Sequence, residues 1–291
     1  MELRCIATRE GRLSSFLKQE MGMSTGLVNR LKWAEKILVN GKPEHNDFHV
    51  SVGDTITALL DEPEIQYPAE DGKLDILYED DWLLAVDKPA GMLIHPSHSR
   101  NTGTLANLVA GYYRKTGQRS AFHPLTRLDR DTFGIVLIAK NSHVSSLLQA
   151  CPARKTYHAL TLGGPESDSG SIDAPIARKP LPSLLRYVSP DGKPSRTEYR
   201  VLERGEMLCK LELSPITGRT HQLRLHCAYM GFPIVGDPQY GPEEGMRFGW
   251  KTQALCAKRL EFVHPITGAF MILESRMDVA ALQRKDSPFS S

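Results

Sequence analysis

The stretch HPLTRLDRDTFGIVLIAK, residues 123–140, sets an arginine, Arg127, and two carboxylates, Asp129 and Asp131, just before a dense apolar run. Ile135–Ala139 has the length and composition of a fully buried strand. Asp129 follows Pro124 in polar sequence, which places it on a loop at the edge of a cleft. Three chemistries suit such residues. Asp129 and Asp131 can form an acid/base pair of the kind that cleaves glycosidic bonds. They can hold a hard cation such as magnesium. Or one can serve as a nucleophile without an activating base, because a carboxylate is already ionised at neutral pH.

A second polar cluster follows a Thr-Gly turn in SPITGRTHQLRLHCAYMGFPIVGDPQYG, residues 214–241. Arg219, His221, Gln222, Arg224 and His226 fall within eight residues. Alternation predicts Gln222, Arg224 and His226 on one face of a strand or of the first turn of a helix. Burying such groups is costly unless they are paired, so they must meet carboxylates, phosphate or water. The spacing of His221 and His226 matches no common ligand pattern, and no metal is expected there. In ARKTYHALTLGG, residues 153–164, Tyr157 lies in alternating sequence, as on a strand with one buried face.

The elements that must position these residues read as an α+β chain built around a largely antiparallel sheet. LANLVAGYYRKTG (105–117) and NSHVSSLLQAC (141–151) carry helical spacing. The runs 76–78 and 82–87, KTYHALTLGG, RTEYRVLERG and MLCKLELSPITG read as strands ending in turns. With 291 residues, 41% of them hydrophobic, the chain can bury a sizeable core and hold more than one domain. No apolar run approaches the length of a membrane span. The charged start lacks the apolar middle of a secretion signal. Five cysteines without metal-type spacing read as reduced thiols in a cytosol.

Charge is unevenly spread. Residues 1–60 hold 8 basic and 7 acidic side chains, residues 61–81 hold 1 and 9, and the rest hold 27 and 18. A basic body with an acidic segment near its start suits a polyanion-binding protein as well as an ordinary solvated surface. The acidic stretch 61–73, with prolines, predicts a linker between a unit at 1–60, whose core is 12–60, and a larger domain at 74–285. Residues 286–291 read as a flexible tail. In the first unit, Leu13, Phe16 and Leu17 share helical spacing, Ser24 can cap a second helix, and ILVNGKP predicts a hairpin. The predicted second helix holds Arg30, Lys32 and Lys36, with Lys42 just past the turn.

This order of capped basic helix, VNG hairpin and VGD strand resembles the alpha-L RNA-binding domain, which implies RNA contacts at Arg30, Lys32, Lys36 and Lys42. Farther on, RLDRDTFG, KTYHA and TGRTHQLRLH…GFPIVGDPQYG stand in the order and spacing of the RluA-type pseudouridine synthases. LLAVDKPAGMLIHP (83–96) resembles the opening of that family's catalytic domain and LCAKRLEFVHP (255–265) its closing motif. The resemblance implies the pseudouridine synthase fold and an isomerase that detaches uracil from its ribose in RNA, rotates it and reattaches it through carbon. On that reading Asp129 is the catalytic aspartate, by covalent addition or through an elimination route. Tyr157 stacks on the base and helps remove its proton, and Arg224 pairs with Asp129. Arg127 fills the gap left by the extracted uridine, and Arg219, His221 and Gln222 line the pocket or hold phosphate. No cofactor or metal is implied. Ribosomal RNA of the large subunit is the favoured partner and transfer RNA the alternative, for a cytoplasmic monomer.

Three positions depart from the family pattern. Thr126 stands where His is usual, Phe133 where Ser is usual, and Cys256 where His is common. They leave the catalytic groups in place and unsettle any transfer of substrate specificity. Two rival functions are an RNA-binding or ribosome assembly factor with this fold and little catalysis, and a carboxylate-pair hydrolase of sugars. The latter wants aromatic platforms, yet only 7% of residues are aromatic and no Trp lies within 123–140.

Overall fold

Two sheets with separate cores organise the chain. The computed structural model describes residues 1–61, 65–97, 101–180, 183, 185–242 and 250–279. The predicted tail at 286–291 lies outside them. The first unit contains β1 (Glu2–Ile6), β2 (Gly11–Arg12), α1 (Leu13–Gln19), α2 (Thr25–Trp33), β3 (Ile37–Val39), β4 (Lys42–Pro43), β5 (His49–Val50) and β6 (Thr55–Leu59). Its sheet runs β1-β6-β3-β4. Ser24 caps α2 by accepting from the Leu27 amide at 3.2 Å. Asn40 and Gly41 both take positive φ, as a two-residue hairpin with a right-handed twist requires. Leu13, Phe16, Leu17, Leu27, Val28 and Leu31 close the core under the sheet. Strand β1 was not expected. Its charged residues alternate with Leu3 against β6, and an edge strand of five residues gives little apolar signal.

The larger part contains β7 (Asp75–Glu79), β8 (Leu83–Lys88), α3 (Leu105–Thr116), β9 (His123–Pro124), β10 (Phe133–Ala139) and α4 (Ser142–Ala150). After these come β11 (Arg154–Leu162), β12 (Ser169–Asp173), β13 (Ile176–Arg178), β14 (Arg186–Val188), β15 (Arg196–Arg204) and β16 (Leu208–Pro215). Helix α5 (Gln222–Tyr229), β17 (Leu255–Val263) and β18 (Phe270–Glu274) complete it. The main sheet runs β12-β15-β16-β11-β17-β10-β8-β7, with β18 on β17 and β9 on β10. Every pairing is antiparallel except β10 with β17. The fold is thus α+β with a mixed, largely antiparallel central sheet. Among the described residues no helix is long and apolar enough to cross a membrane.

Strand β10 is buried along its whole length because both faces are covered. Val136 and Ile138 join the core beneath α3 and α5, while Ile135 and Leu137 join Val144 and Leu148 of α4 on the other face. Alternation alone is enough to sort one apolar run between two cores. Within the predicted linker, residues 65–73 depart from a free chain. Ile65 and Tyr67 pack on the main core, Glu70 accepts from the Gly103 amide, and Asn107 of α3 donates to the Pro68 carbonyl at 2.8 Å. Two apolar side chains within an acidic run are enough to lay it down on α3 as a strap.

Gly134 shows how tightly the β10–β17 crossing is built. Its φ is +107°, and a Cβ there would stand 2.4 Å from the Ala257 carbonyl oxygen. Gly134→Ala must therefore strain the backbone and push β17 away, at a cost of about 2–5 kcal/mol. Urea unfolding should show that loss, and a variant as stable as the wild type would contradict the tight crossing.

Candidate active site

The loop between β9 and β10 is pinned at several points. Leu128 is buried in the main core, and the Thr132 amide donates to the Asp129 carbonyl at 3.2 Å. Thr126 donates its hydroxyl to the Ile135 carbonyl and accepts from the Leu137 amide at 3.1 Å. Between these anchors the Asp129 side chain stays 30% exposed. Its Oδ2 accepts from Arg224 Nη1 at 2.9 Å, and among the described residues Oδ1 has no hydrogen-bond partner. One oxygen is held, and the other is available to a substrate.

Arg224 projects from α5 and is only 4% exposed. Asp237, itself buried, takes its Nε and Nη2 as a fork at 2.7 Å each, and Gln239 accepts from Nη2 at 2.9 Å. The Tyr240 ring lies 5.2 Å below the guanidinium. Burial alone would lower the pKa of Arg224, but Asp237 and Asp129 outweigh it and hold the group charged. Asp237 thus meets most of the arginine's need for a counter-ion. Asp129 is oriented by a single N–H and keeps much of its own charge.

His221 precedes α5 in a left-handed conformation, φ 58°, which turns the chain sharply into the helix. Its Nε2 lies 3.8 Å from Asp129 Oδ2, and its Nδ1 is 2.9 Å from the Tyr240 hydroxyl. That hydroxyl also accepts from the Arg186 amide at 3.0 Å. Burial lowers the His221 pKa, with Asp129 opposing, so the ring is biased to neutral. The Tyr240 hydroxyl and Nδ1 thus share one hydrogen bond, and Nε2 is turned toward the carboxylate.

Tyr157 on β11 is 9% exposed, just after a bulge in the pairing with β17. Burial, and then Asp129, raise its pKa strongly, so the phenol stays neutral. The arrangement is one oriented, partly exposed carboxylate, a buried cation that holds one of its oxygens, and a buried tyrosine nearby. It suits attack by a carboxylate on an electrophilic carbon or removal of a proton from one.

Comparison with known proteins identifies the family. The sequence model of the RNA pseudouridylate synthase family matches residues 82–229. An uncharacterised RNA pseudouridine synthase of Bacillus subtilis is 39% identical over 258 residues, 85% of this chain and 84% of that protein. The chain belongs to this family, and to its RluA type. A ribosomal large subunit pseudouridine synthase D of Nitrosomonas europaea is 37% identical over 82% of this chain and 74% of its own length. The solved structure of human RNA pseudouridylate synthase domain containing 1 superposes with a TM-score of 0.57 at 24% identity, covering 77% of this chain and all of that one, a likeness of fold. The protein is an RNA pseudouridine synthase, an isomerase.

The structure of the synthase brings Asp129, His221 and Arg224 together, with Arg224 ion-paired to Asp129 and His221 Nε2 3.8 Å from the same carboxylate oxygen. Arg127 is exposed on the same loop as Asp129. Arg219 is exposed too, and its Nε donates to the Pro194 carbonyl at 3.2 Å. Gln222 has a different place from the one expected. It is 3% exposed, and its amide bonds Thr217, the Arg219 amide, the Arg196 carbonyl and Thr197. It organises the turn into α5 and has no donor left for a pocket or phosphate. The segment is helical, so Gln222 and His226 share one face and both meet Thr197, while Arg224 points elsewhere. Asp131 faces away from a paired-carboxylate role, since Arg130 engages both its oxygens at 3.0 and 2.9 Å. Of the N-terminal basic residues, Arg30 and Lys42 are exposed, and Lys36 is ion-paired with Asp61. Among the described residues no cluster of three His, Cys, Asp or Glu could hold a metal ion.

Two residues with large roles were missed in the sequence. Asp237 sits in VGDPQYG, where an acid directly after a buried run invited a search for its cation. Lys88 ends a fully buried strand, and its ammonium donates to the carbonyls of Pro89, Met92 and Arg130 at 3.0, 2.8 and 2.9 Å. The last bond ties strand β8 to the residue following Asp129.

Removing one partner of a buried ion pair typically costs about 3–5 kcal/mol. Asp237→Ala should lose that much, whereas Asp129→Asn should change stability by about 1 kcal/mol or less, because Arg224 keeps its fork with Asp237. Equal losses in chemical unfolding would contradict the unequal sharing of the arginine.

Burial lowers the Lys88 pKa from 10.5 to about 8, with Asp131 and Asp129 opposing. The unfolded chain therefore binds the proton more tightly. The cost of the buried charge is borne in full below about pH 8 and is relieved as pH rises toward the ordinary lysine value. Relative to Lys88→Met, the wild type should gain about 3 kcal/mol between those limits. Parallel stability–pH curves for the two proteins would refute it.

Proposed function

We propose that this synthase isomerises uridine in large-subunit ribosomal RNA, with Asp129 as the group that attacks the nucleotide. The carrying observation is the unequal bonding of its carboxylate, which is 30% exposed, with Oδ2 on Arg224 and Oδ1 without a hydrogen-bond partner among the described residues. A uridine extracted from its helix would present its ribose to Oδ1, either for attack at C1′, which breaks the C1′–N1 bond and releases uracil, or for removal of the C2′ proton as uracil leaves from C1′. Tyr157 would stack on the freed uracil while it rotates. Its raised pKa suits a neutral hydroxyl that hydrogen-bonds the base more than a ready proton acceptor. Arg127, exposed beside the site, would occupy the space the uridine leaves. Arg219 and His221 would meet phosphate or base.

The choice of ribosomal RNA rests on relatives bearing that name in Nitrosomonas europaea and in Escherichia coli, at 37% and 33% identity. The first unit supports it as an alpha-L RNA-binding domain, presenting Arg30, Lys32 and Lys42 from α2 and the β3–β4 hairpin. The protein acts in the cytoplasm as a monomer on this reading.

Pseudouridine mapping across total RNA from cells with and without the gene tests it, with complementation by wild type and by Asp129→Asn. The variant should lose roughly 10⁴- to 10⁶-fold in turnover. Sites in large-subunit RNA should vanish on deletion and return only with the wild type. Restoration by Asp129→Asn would remove Asp129 from the chemistry, and loss confined to transfer RNA would reassign the substrate.

A further inference from the structure

Trp33, at the end of α2, has no part in the site described above. It is 82% exposed, whereas Trp250 is 6% exposed and Trp82 is half-buried where the two cores meet. The solvent face of α2 reads Thr25, Gly26, Asn29, Arg30 and Trp33, and the helix holds no carboxylate. The Lys32 ammonium stands 5.3 Å from the centre of the Trp33 ring. Arg30 lies one helical turn back on the same face. A large indole left in water thus stands among cations.

That juxtaposition discriminates between occupants. A docking surface for an apolar protein needs a contiguous patch of several side chains. Here one ring stands alone on its helix face, flanked by an ammonium and a guanidinium. A nucleobase offers a π-face of matching size, and its flanking phosphates offer the opposite charge. Bases inside a duplex are stacked away from such a ring, so the fit is to an unpaired base. We propose that Trp33 is a stacking platform for an unpaired nucleobase of the RNA substrate, with Arg30 and Lys32 on the adjoining phosphates. The proposal rests on the reading of the first unit as RNA-binding and adds the site through which it takes hold.

The test uses the full chain, titrated with a short oligouridylate and with an RNA duplex of the same length. Single-stranded RNA should quench the tryptophan emission, and Trp33→Phe should abolish most of that quenching while holding affinity within about threefold. Trp33→Ala should weaken binding of oligouridylate about five- to 150-fold and leave duplex binding as it was. Its melting transition should match that of the wild type, because the side chain is exposed. Wild-type affinity for oligouridylate in Trp33→Ala, or full quenching in Trp33→Phe, would overturn the proposal. So would failure of the wild type to bind the oligomer. Pseudouridine formation is scored separately. A protein that binds and quenches but leaves ribosomal uridines unmodified would refute the ribosomal assignment and leave Trp33 as a stacking site.

Discussion

A buried guanidinium is the constraint around which this enzyme is arranged. Arg224 is nearly inaccessible to water, and a charge so placed destabilises the fold unless carboxylates stand within reach. Asp237 arrives from the loop beyond α5 and Asp129 from the loop before β10, ninety-five residues away in sequence from Arg224. The pair with Asp237 is saturated and structural in character. The pair with Asp129 is a single contact at the rim of the cleft. One cation therefore does two things that need different geometries: it holds the fold together and presents a charged oxygen.

The rest of the site follows from the need to bring these loops together. The parallel crossing of β10 and β17 sets the position of the loop ahead of β10, and only a glycine at 134 permits so close an approach. His221 must take a left-handed conformation so that α5 can begin where Arg224 faces the loop. Gln222, buried beneath it, ties the turn to β15 through Arg196 and Thr197. Lys88 holds the carbonyl of Arg130 from below. The loop that carries Asp129 is thus positioned largely by groups buried behind it.

Local periodicity made much of this legible. The fully buried β10, the helices near 105–117 and 141–151, the cap at Ser24 and the Asn-Gly hairpin all declare themselves within a few residues. Strand β1 did not, because half its side chains face water and its evidence is a partner more than fifty residues away. The strap at 65–73 was masked by its acidity, although two apolar side chains and Glu70 were enough to seat it. For α5 the alternation of polar residues suggested three groups on one face. A helix separates Arg224 from Gln222 and His226, and no count along the chain could say which would meet the cleft.

The same contrast explains the departures from the family pattern. Thr126 engages the backbone of β10, Phe133 lies in the main core, and Cys256 is fully buried, its thiol raised to about 12 by burial. All three face the interior of the protein, beside a site whose charged groups are retained. A hydroxyl in place of an imidazole at 126 still satisfies two backbone groups, and a phenyl ring at 133 adds to a core that β10 already fills. Such changes act on the reactive loop through its packing, because a side chain sealed in the core has no direct contact to offer a nucleotide. Under the proposed function, discrimination among RNAs falls to exposed residues, on the loop at Arg127, on the turn at Arg219 and on the basic face of the first unit. The groups that hold the site and the exposed basic residues thus occupy different layers of the molecule, with Arg224 and Asp237 buried and Arg127 and Arg219 at the surface.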